Sequence, residues 1–266
     1  MARLPAVFFG HGSPTVALET SETTQCWAKL ADDIGKPKAI LVISAHWLTR
    51  GVAVTAMERP PTLHDFGRSL PAPLFDIDYP APGDPALAVR VRDLLAPTPV
   101  HLDRSEWGLD HGAWSVLRKA YPEADVPVVQ LSMDATRPPA WHNEIGRRLA
   151  PLRDENVLIV GSGNVVHNLG VMSWEGRNAS PYDWAVRFNA AIRAAIEAAN
   201  PEAVIDYAAL GRDAQMAVAN PDHFWPLLYV LGARARGEPV RFITEHFEYR
   251  SLSMMGVVVG RTGTAT

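Results

Sequence analysis

The sequence has one cysteine, Cys26, among 266 residues. An internal disulfide is therefore impossible, which excludes a small secreted scaffold held by several of them. Neither sign of charge dominates: 25 Lys and Arg stand against 29 Asp and Glu, for a formal net charge of -4. Such a balance lacks the electrostatic footprint of a general nucleic-acid or anionic-membrane binder. Long apolar runs are missing too. A run such as Ala39 to Ala45 falls far short of the roughly 20 residues that cross a bilayer. The opening residues, Met-Ala-Arg-Leu-Pro, lead straight into a strand-like run with no signal-peptide pattern, so a cytoplasmic location is expected. Internal repeats, low-complexity tracts and domain linkers are absent. So are the Gly-x-Ser-x-Gly elbow and His-Glu-x-x-His, and with them the serine-hydrolase and common zinc-protease templates.

What is present is an ordinary globular composition, 47% hydrophobic and 20% charged, on a chain long enough for a large core. Strand-like runs alternate with helical patterns. Ala6 to Phe9 reads as a strand, and Ser21 or Thr23 caps a helix that Gly35 and Pro37 stop. Ala39 to Ser44 is continuously apolar, as in a strand covered on both faces. Val52 to Thr55 is another strand, and residues 58–84 form a long loop rich in Pro and Gly, of the kind that usually carries function. Further helices are expected from Pro85 to Leu94, Trp114 to Ala120, Ala140 to Leu152, Asp183 to Ala199 and His223 to Ala235. Strands are expected at Val100 to Leu102, Val126 to Leu131 and Val157 to Val160, with two late strands pairing as a hairpin. Asn200 is read as a helix stop and Cys26 as a core residue. The fold class is α/β: a single domain over 1–266 with a central mixed sheet flanked by helices, its site at the carboxyl ends of the strands.

Nine histidines carry most of the functional information. His11 follows the first buried strand, and His46 follows the second. His167 comes just after Gly161-Ser162-Gly163-Asn164, which reads as a tight turn whose backbone approaches a ligand. His111 lies at a loop-to-helix junction and His223 opens a helix. Imidazole suits both borderline metals and proton transfer near neutral pH. A histidine at the end of an apolar strand also needs a partner. His101, His142 and His246 read as surface or packed residues. Ser13 is either a nucleophile or, better, a cap. Trp47, Trp107, Trp114, Trp225, Phe66 and Tyr79 crowd the histidine segments, a setting that suits a flat aromatic ligand.

Five ordered blocks complete the pattern: Phe9-Gly10-His11-Gly12-Ser13-Pro14, Ser44-Ala45-His46-Trp47, Gly108 to Trp114, Gly161 to Asn168, and Asp222-His223-Phe224. Together they resemble the class III extradiol ring-cleavage dioxygenases, in the 4,5-DOPA dioxygenase branch, over residues 6 to about 260. The resemblance implies that His11, His46 and His223 bind a metal, with His167 as a further ligand or as the acid/base. It also implies that His111 contacts substrate or oxygen, and that Ser13 and Trp47 belong to the substrate pocket. The wider superfamily uses two histidines and a carboxylate, whereas the third ligand here is His223, with Asp222 the less favoured choice. Fe(II) is the metal implied for activity, while Zn(II) would fill the same ligands without redox chemistry. The implied partners are a small aromatic diol such as DOPA and O2, with the ring opened to a muconic semialdehyde. Arg50, Arg68 and Lys119 are candidate contacts for a substrate carboxylate. A zinc-dependent hydrolase and a non-catalytic metal-binding protein are the alternatives, and the chain is expected to be a monomer or homodimer.

Overall fold

Alternating strands and helices build one dominant sheet. In the computed structural model, which describes residues 3–173 and 175–263, the chain runs through β1 (Ala6–Gly10), α1 (Glu22–Ile34), β2 (Ala39–Thr49), β3 (Val52–Thr55), α2 (Pro85–Leu94) and β4 (Val100–Asp103). It continues through α3 (His111–Ala120), β5 (Val128–Asp134), α4 (Pro139–Leu149), β6 (Val157–Gly163), α5 (Asp183–Glu197) and α6 (Pro201–Ile205). Last come α7 (Arg212–Ala217), α8 (Trp225–Gly232), β7 (Val240–Ile243), β8 (Phe247–Glu248), β9 (Leu252–Ser253) and β10 (Gly256–Val259). Met1 and Ala2, the first residues of the opening segment, lie outside the described residues.

The eight strands of the main sheet lie in the order β4-β3-β5-β2-β6-β1-β10-β7. At its centre β5, β2, β6 and β1 are parallel, so their carboxyl ends share one rim. The expected late hairpin is there: β10 pairs antiparallel with both β7 and β1. The apolar run of β2 is covered on both faces. Leu41 and Ile43 join Ile145, Phe188 and Leu228 on one side, while Ile40 and Val42 join Trp27, Trp114 and Leu117 on the other. Alternation of successive side chains across a strand produces this split. No helix among the described residues is long and apolar enough to cross a membrane.

Local chemistry fixes the ends of the elements. Ser21 caps α1 in a reciprocal box with Thr24, and Gly35 ends the helix at a φ of 79° that favours glycine. The helix expected from Trp114 starts earlier, at His111, because the Asp110 side chain accepts from Ala113 N–H at 3.1 Å. The helix expected from His223 starts later: His223 closes a 3-10 turn, Pro221–His223, and Trp225 begins α8. Asn200 does not simply stop α5; its side chain caps α6 through Ala203 N–H at 3.1 Å. Cys26 is half-buried and packs against the edge of the core that holds Trp27 and Trp114. Gly161-Ser162-Gly163 is strand, not turn. Its glycines admit a protein backbone rather than a ligand: a Cβ on Gly161 would lie 2.7 Å from the Pro226 carbonyl, and one on Gly163 2.1 Å from that of His223.

Candidate metal centre

The parallel strands deliver their site residues in register. Gly10 pairs with Gly163 and Ser44 with Ser162, so His11, just past β1, and His46, on β2 beyond its last pairing with β6, flank the end of β6. His11 N–H donates to the Gly163 carbonyl at 2.9 Å, and Asn164 N–H to the His223 carbonyl at 2.8 Å. Three segments remote in sequence are thereby stitched together by backbone. The result is a set of imidazoles in contact. Ring centroids of His11 and His46 are 5.2 Å apart, those of His11 and His223 5.2 Å, and those of His46 and His223 5.1 Å. One nitrogen from each of His11, His46 and His223 lies within 4.8 Å of the others.

Hydrogen bonding behind the rings shows what these nitrogens offer. Ser162 Oγ donates to the Gly112 carbonyl at 2.6 Å. Its only proton is spent there, so at 2.9 Å it must accept from His11 Nδ1. His11 is therefore the Nδ1–H tautomer and presents a bare Nε2 lone pair. That Nε2 lies 3.4 Å from Nε2 of His46, close to the ~3.3 Å between two nitrogens of a tetrahedral site with bonds of about 2.05 Å. His223 Nδ1 is buried without a hydrogen-bond partner, although Asp222 Oδ1 lies 3.2 Å away. Burial holds the imidazoles neutral, the form that binds a metal. It pushes His11 and His223 well below the usual histidine value and His46 down to about 3, each helped by neighbouring imidazoles. Converging neutral imidazoles, one with its tautomer set by an outer hydroxyl, fit a divalent ion.

Around this set sit the other residues singled out from the sequence. His167 stacks face to face on His223, 3.5 Å apart and 4° from parallel. Its backbone N–H donates to Ala217, and burial pushes its side chain down to about 4. It belongs to neither group of converging donors among the described residues. His111 packs on His46 with centroids 3.8 Å apart. Ser13 caps the 3-10 turn Pro14–Leu18, accepting from Thr15 N–H. Trp47 stacks parallel to Trp107 at 5.5 Å. Of the three cations, Arg68 shares the 58–84 loop with Phe66, which meets His111 edge-on. Lys119 is committed to the Glu19 carbonyl at 2.6 Å, and Arg50 is exposed between β2 and β3. His142 is packed, stacked on Trp225 and bonded to the Tyr229 hydroxyl at 3.0 Å.

Three polar residues escape sequence reasoning. Asp65, from the 58–84 loop, reaches His111, with Oδ2 3.0 Å from Nδ1 and Oδ1 accepting the His111 N–H at 2.8 Å. Asp110 is buried between Ser44, whose hydroxyl donates at 2.7 Å, and the side-chain amide of Gln130. A capping signal one residue before His111 marks Asp110, but nothing in the sequence marks Asp65 or Gln130.

A mixed α/β sheet that gathers neutral imidazoles at the rim of its parallel strands gives an α/β protein a candidate metal site. The model of the catalytic LigB subunit of aromatic ring-opening dioxygenase matches residues 5–260. The chain is 51% identical over 262 residues to the 4,5-DOPA dioxygenase extradiol of Escherichia coli K12, covering 97% of this chain and 95% of the relative. It is 38% identical to the protein of the same name from Beta vulgaris, with 89% of each covered. The crystal structure of an uncharacterized Escherichia coli K12 protein, JW3007, superposes with a TM-score of 0.84 at 47% identity, covering 97% of this chain and all of that one. The chain belongs to the LigB family of aromatic ring-opening dioxygenases, and within it to the extradiol ring-cleaving enzymes.

Proposed function

We propose that this chain is an Fe(II)-dependent extradiol dioxygenase that inserts both atoms of O2 into a catechol such as DOPA and opens the ring to a muconic semialdehyde. The observation that carries the reading is the convergence of one nitrogen each from His11, His46 and His223 within 4.8 Å. Those three would hold the iron and leave the remaining coordination positions open. Bound there, Fe(II) supplies a redox-active centre that lowers the pKa of the catechol hydroxyls and lets ring and oxygen exchange electron density. Zn(II) fits the same ligands and lacks the redox change.

The chain's own side chains carry the rest. His167, kept neutral near pH 7 by burial, takes a proton from a catechol hydroxyl and later returns it to the departing oxygen. His111 hydrogen-bonds the substrate or oxygen, and Phe66, edge-on to it, forms an apolar wall for the ring. Ser13 and Trp47 belong to the same pocket, and Arg68 takes the substrate carboxylate. Holding ring and oxygen in one orientation removes much of the entropic barrier. The relatives' names, which specify DOPA and extradiol cleavage, favour this substrate class.

The test is anaerobic loading with Fe(II), followed by air and a panel of catechols. A yellow semialdehyde should form with one O2 consumed per catechol, and the zinc-loaded protein should be inactive. Ester or amide cleavage without O2, or with zinc, would replace this reading with the hydrolase.

A further inference from the structure

We propose that Asp65 is a positioning residue that fixes the tautomer and orientation of His111, and is not a metal ligand. The inference rests on the proposed function for the role of His111, and on geometry alone for the pairing. Both carboxylate oxygens of Asp65 are spoken for by that one residue. Oδ1 accepts the backbone N–H that opens α3, and Oδ2 lies 3.0 Å from Nδ1. His111 Nδ1 is buried and lies outside hydrogen-bond angle of any acceptor, Asp65 Oδ2 being its one ion-pair contact among the described residues. A carboxylate only accepts, so a ring carrying one proton holds it on Nδ1, and Nε2 is left as a bare acceptor.

The loop is fixed on both sides of Asp65. Leu63 N–H donates to the Leu109 carbonyl at 2.8 Å, and the Trp114 indole N–H donates to the Leu63 carbonyl at 2.7 Å. The next residue, His64, bonds the Ile77 carbonyl through Nε2 at 3.0 Å, and Phe66 meets the His111 ring edge-on at 5.4 Å. The carboxylate is thus tied to the first turn of the helix it serves, not left on a free loop. Orientation of a functional imidazole by a carboxylate behind it is a general device, and losing the partner typically costs 10–100-fold.

A rival reading comes from the same atoms. His46, Asp65 and His111 bring donors within 4.8 Å of one another, which gives two histidines and a carboxylate. His46 argues against it. Its Nε2 already faces His11 at 3.4 Å, while its Nδ1 is 4.0 Å from Asp65. To serve two ions, that ring would have to lose its last proton.

The experiment uses the full chain loaded with zinc, where no ring cleavage is needed for the readout. The 15N shifts of the His111 imidazole, assigned by their loss in His111→Ala, should show Nδ1 protonated and Nε2 bare. In Asp65→Asn the amide can still accept the His111 N–H but turns a donor toward Nδ1, so the proton should move to Nε2. Zinc and iron content should stay stoichiometric. With iron, kcat should fall about 10–100-fold with little change in KM, and Asp65→Asn should have no further effect in the His111→Ala background. A bare Nδ1 in the wild-type protein, loss of metal from Asp65→Asn, or an equal kcat loss without His111 would each overturn the proposal. If catechols are not cleaved at all, the proposed function fails while the nitrogen shifts still decide the pairing.

Discussion

Gly163→Ala is a sharp test of how the metal centre is built, because a single methyl group acts on one ligand through backbone. A Cβ at this position would lie 2.1 Å from the His223 carbonyl oxygen and 3.0 Å from its carbon. Protein Cβ atoms essentially never approach heavy atoms closer than 3.0 Å, so the His223 segment must retreat by about 1 Å or β6 must buckle, which is overpacking. Overpacking of this kind costs about 1–3 kcal/mol, or roughly 2–12 °C in melting temperature for a chain of this size. The functional cost is larger. Metal–ligand distances tolerate only about 0.2 Å, so His223 leaves the ligand set and affinity should drop by more than the ~100-fold typical of an outer-partner loss. Zinc titration with a competing chelator measures this, and thermal melting of the metal-free protein measures the first term. Gly232→Ala is the control. Its Cβ would lie 2.0 Å from the Asn143 carbonyl, at the contact of α8 with α4, and should lower stability similarly while sparing affinity. Full zinc affinity in Gly163→Ala, with stability reduced, would refute the claim that this close approach sets His223.

Other expectations follow from the same geometry. His46→Ala should abolish stoichiometric metal binding and leave the circular dichroism spectrum unchanged; retained metal would remove His46 from the ligand set. His167→Ala should slow turnover far more than it lowers metal content, because the ring stacks on His223 outside the converging donors; normal turnover would end its proton-transfer role. The metal-free protein should lose stability as pH falls below about 6.5, where unfolded histidines gain protons that folded His46 and His167 refuse until about 3 and 4; each contributes a slope of up to ~1.4 kcal/mol per pH unit, and melting that does not fall between pH 6.5 and 4 would contradict it. Asp110→Asn should cost about 1–3 kcal/mol, because it sets one amide against the Gln130 amide. Adding Gln130→Glu restores an acceptor and should recover most of that loss in a melting experiment.

Much of this was legible in the sequence, for physical reasons that also mark where reading stops. The run from Ala39 to Ser44 could only be a strand buried on both faces, and the histidines that end such runs had to lie on the rim of a parallel sheet. Ser21 and Gly35 announced both ends of α1 through capping chemistry. Gly161 and Gly163 misled because periodicity records side chains, and these residues are glycine so that another segment's backbone can lie against them. Asn200 is a capping residue whose signal serves equally for the end of α5 and the start of α6. Asp65 was invisible. A carboxylate in a loop has no spacing relation to the helix it meets, and its partner lies 46 residues away.

The arrangement makes sense only as a compromise between folding and binding. Four histidines share a volume where burial keeps the rings uncharged, helped at His11, His46 and His223 by the neighbouring imidazoles. Nε2 of His11 and Nε2 of His46 share a single long contact of 3.4 Å, and Nδ1 of His223 has no hydrogen-bond partner. Each buried polar atom left without a partner costs of order 1–3 kcal/mol, so a chain selected for stability alone would place leucine or valine at these positions. What holds the cluster is the polar support behind it: Ser162 under His11, and Asp110 joining Ser44, two residues before His46, to the first turn of the helix that begins with His111. That support is fully hydrogen-bonded where the rings in front are not. An ion at the centre reverses the sign of the front layer's contribution, adding about 4 kcal/mol when its concentration is a thousand times its dissociation constant. The same imidazoles that weaken the metal-free fold are therefore the source of its affinity.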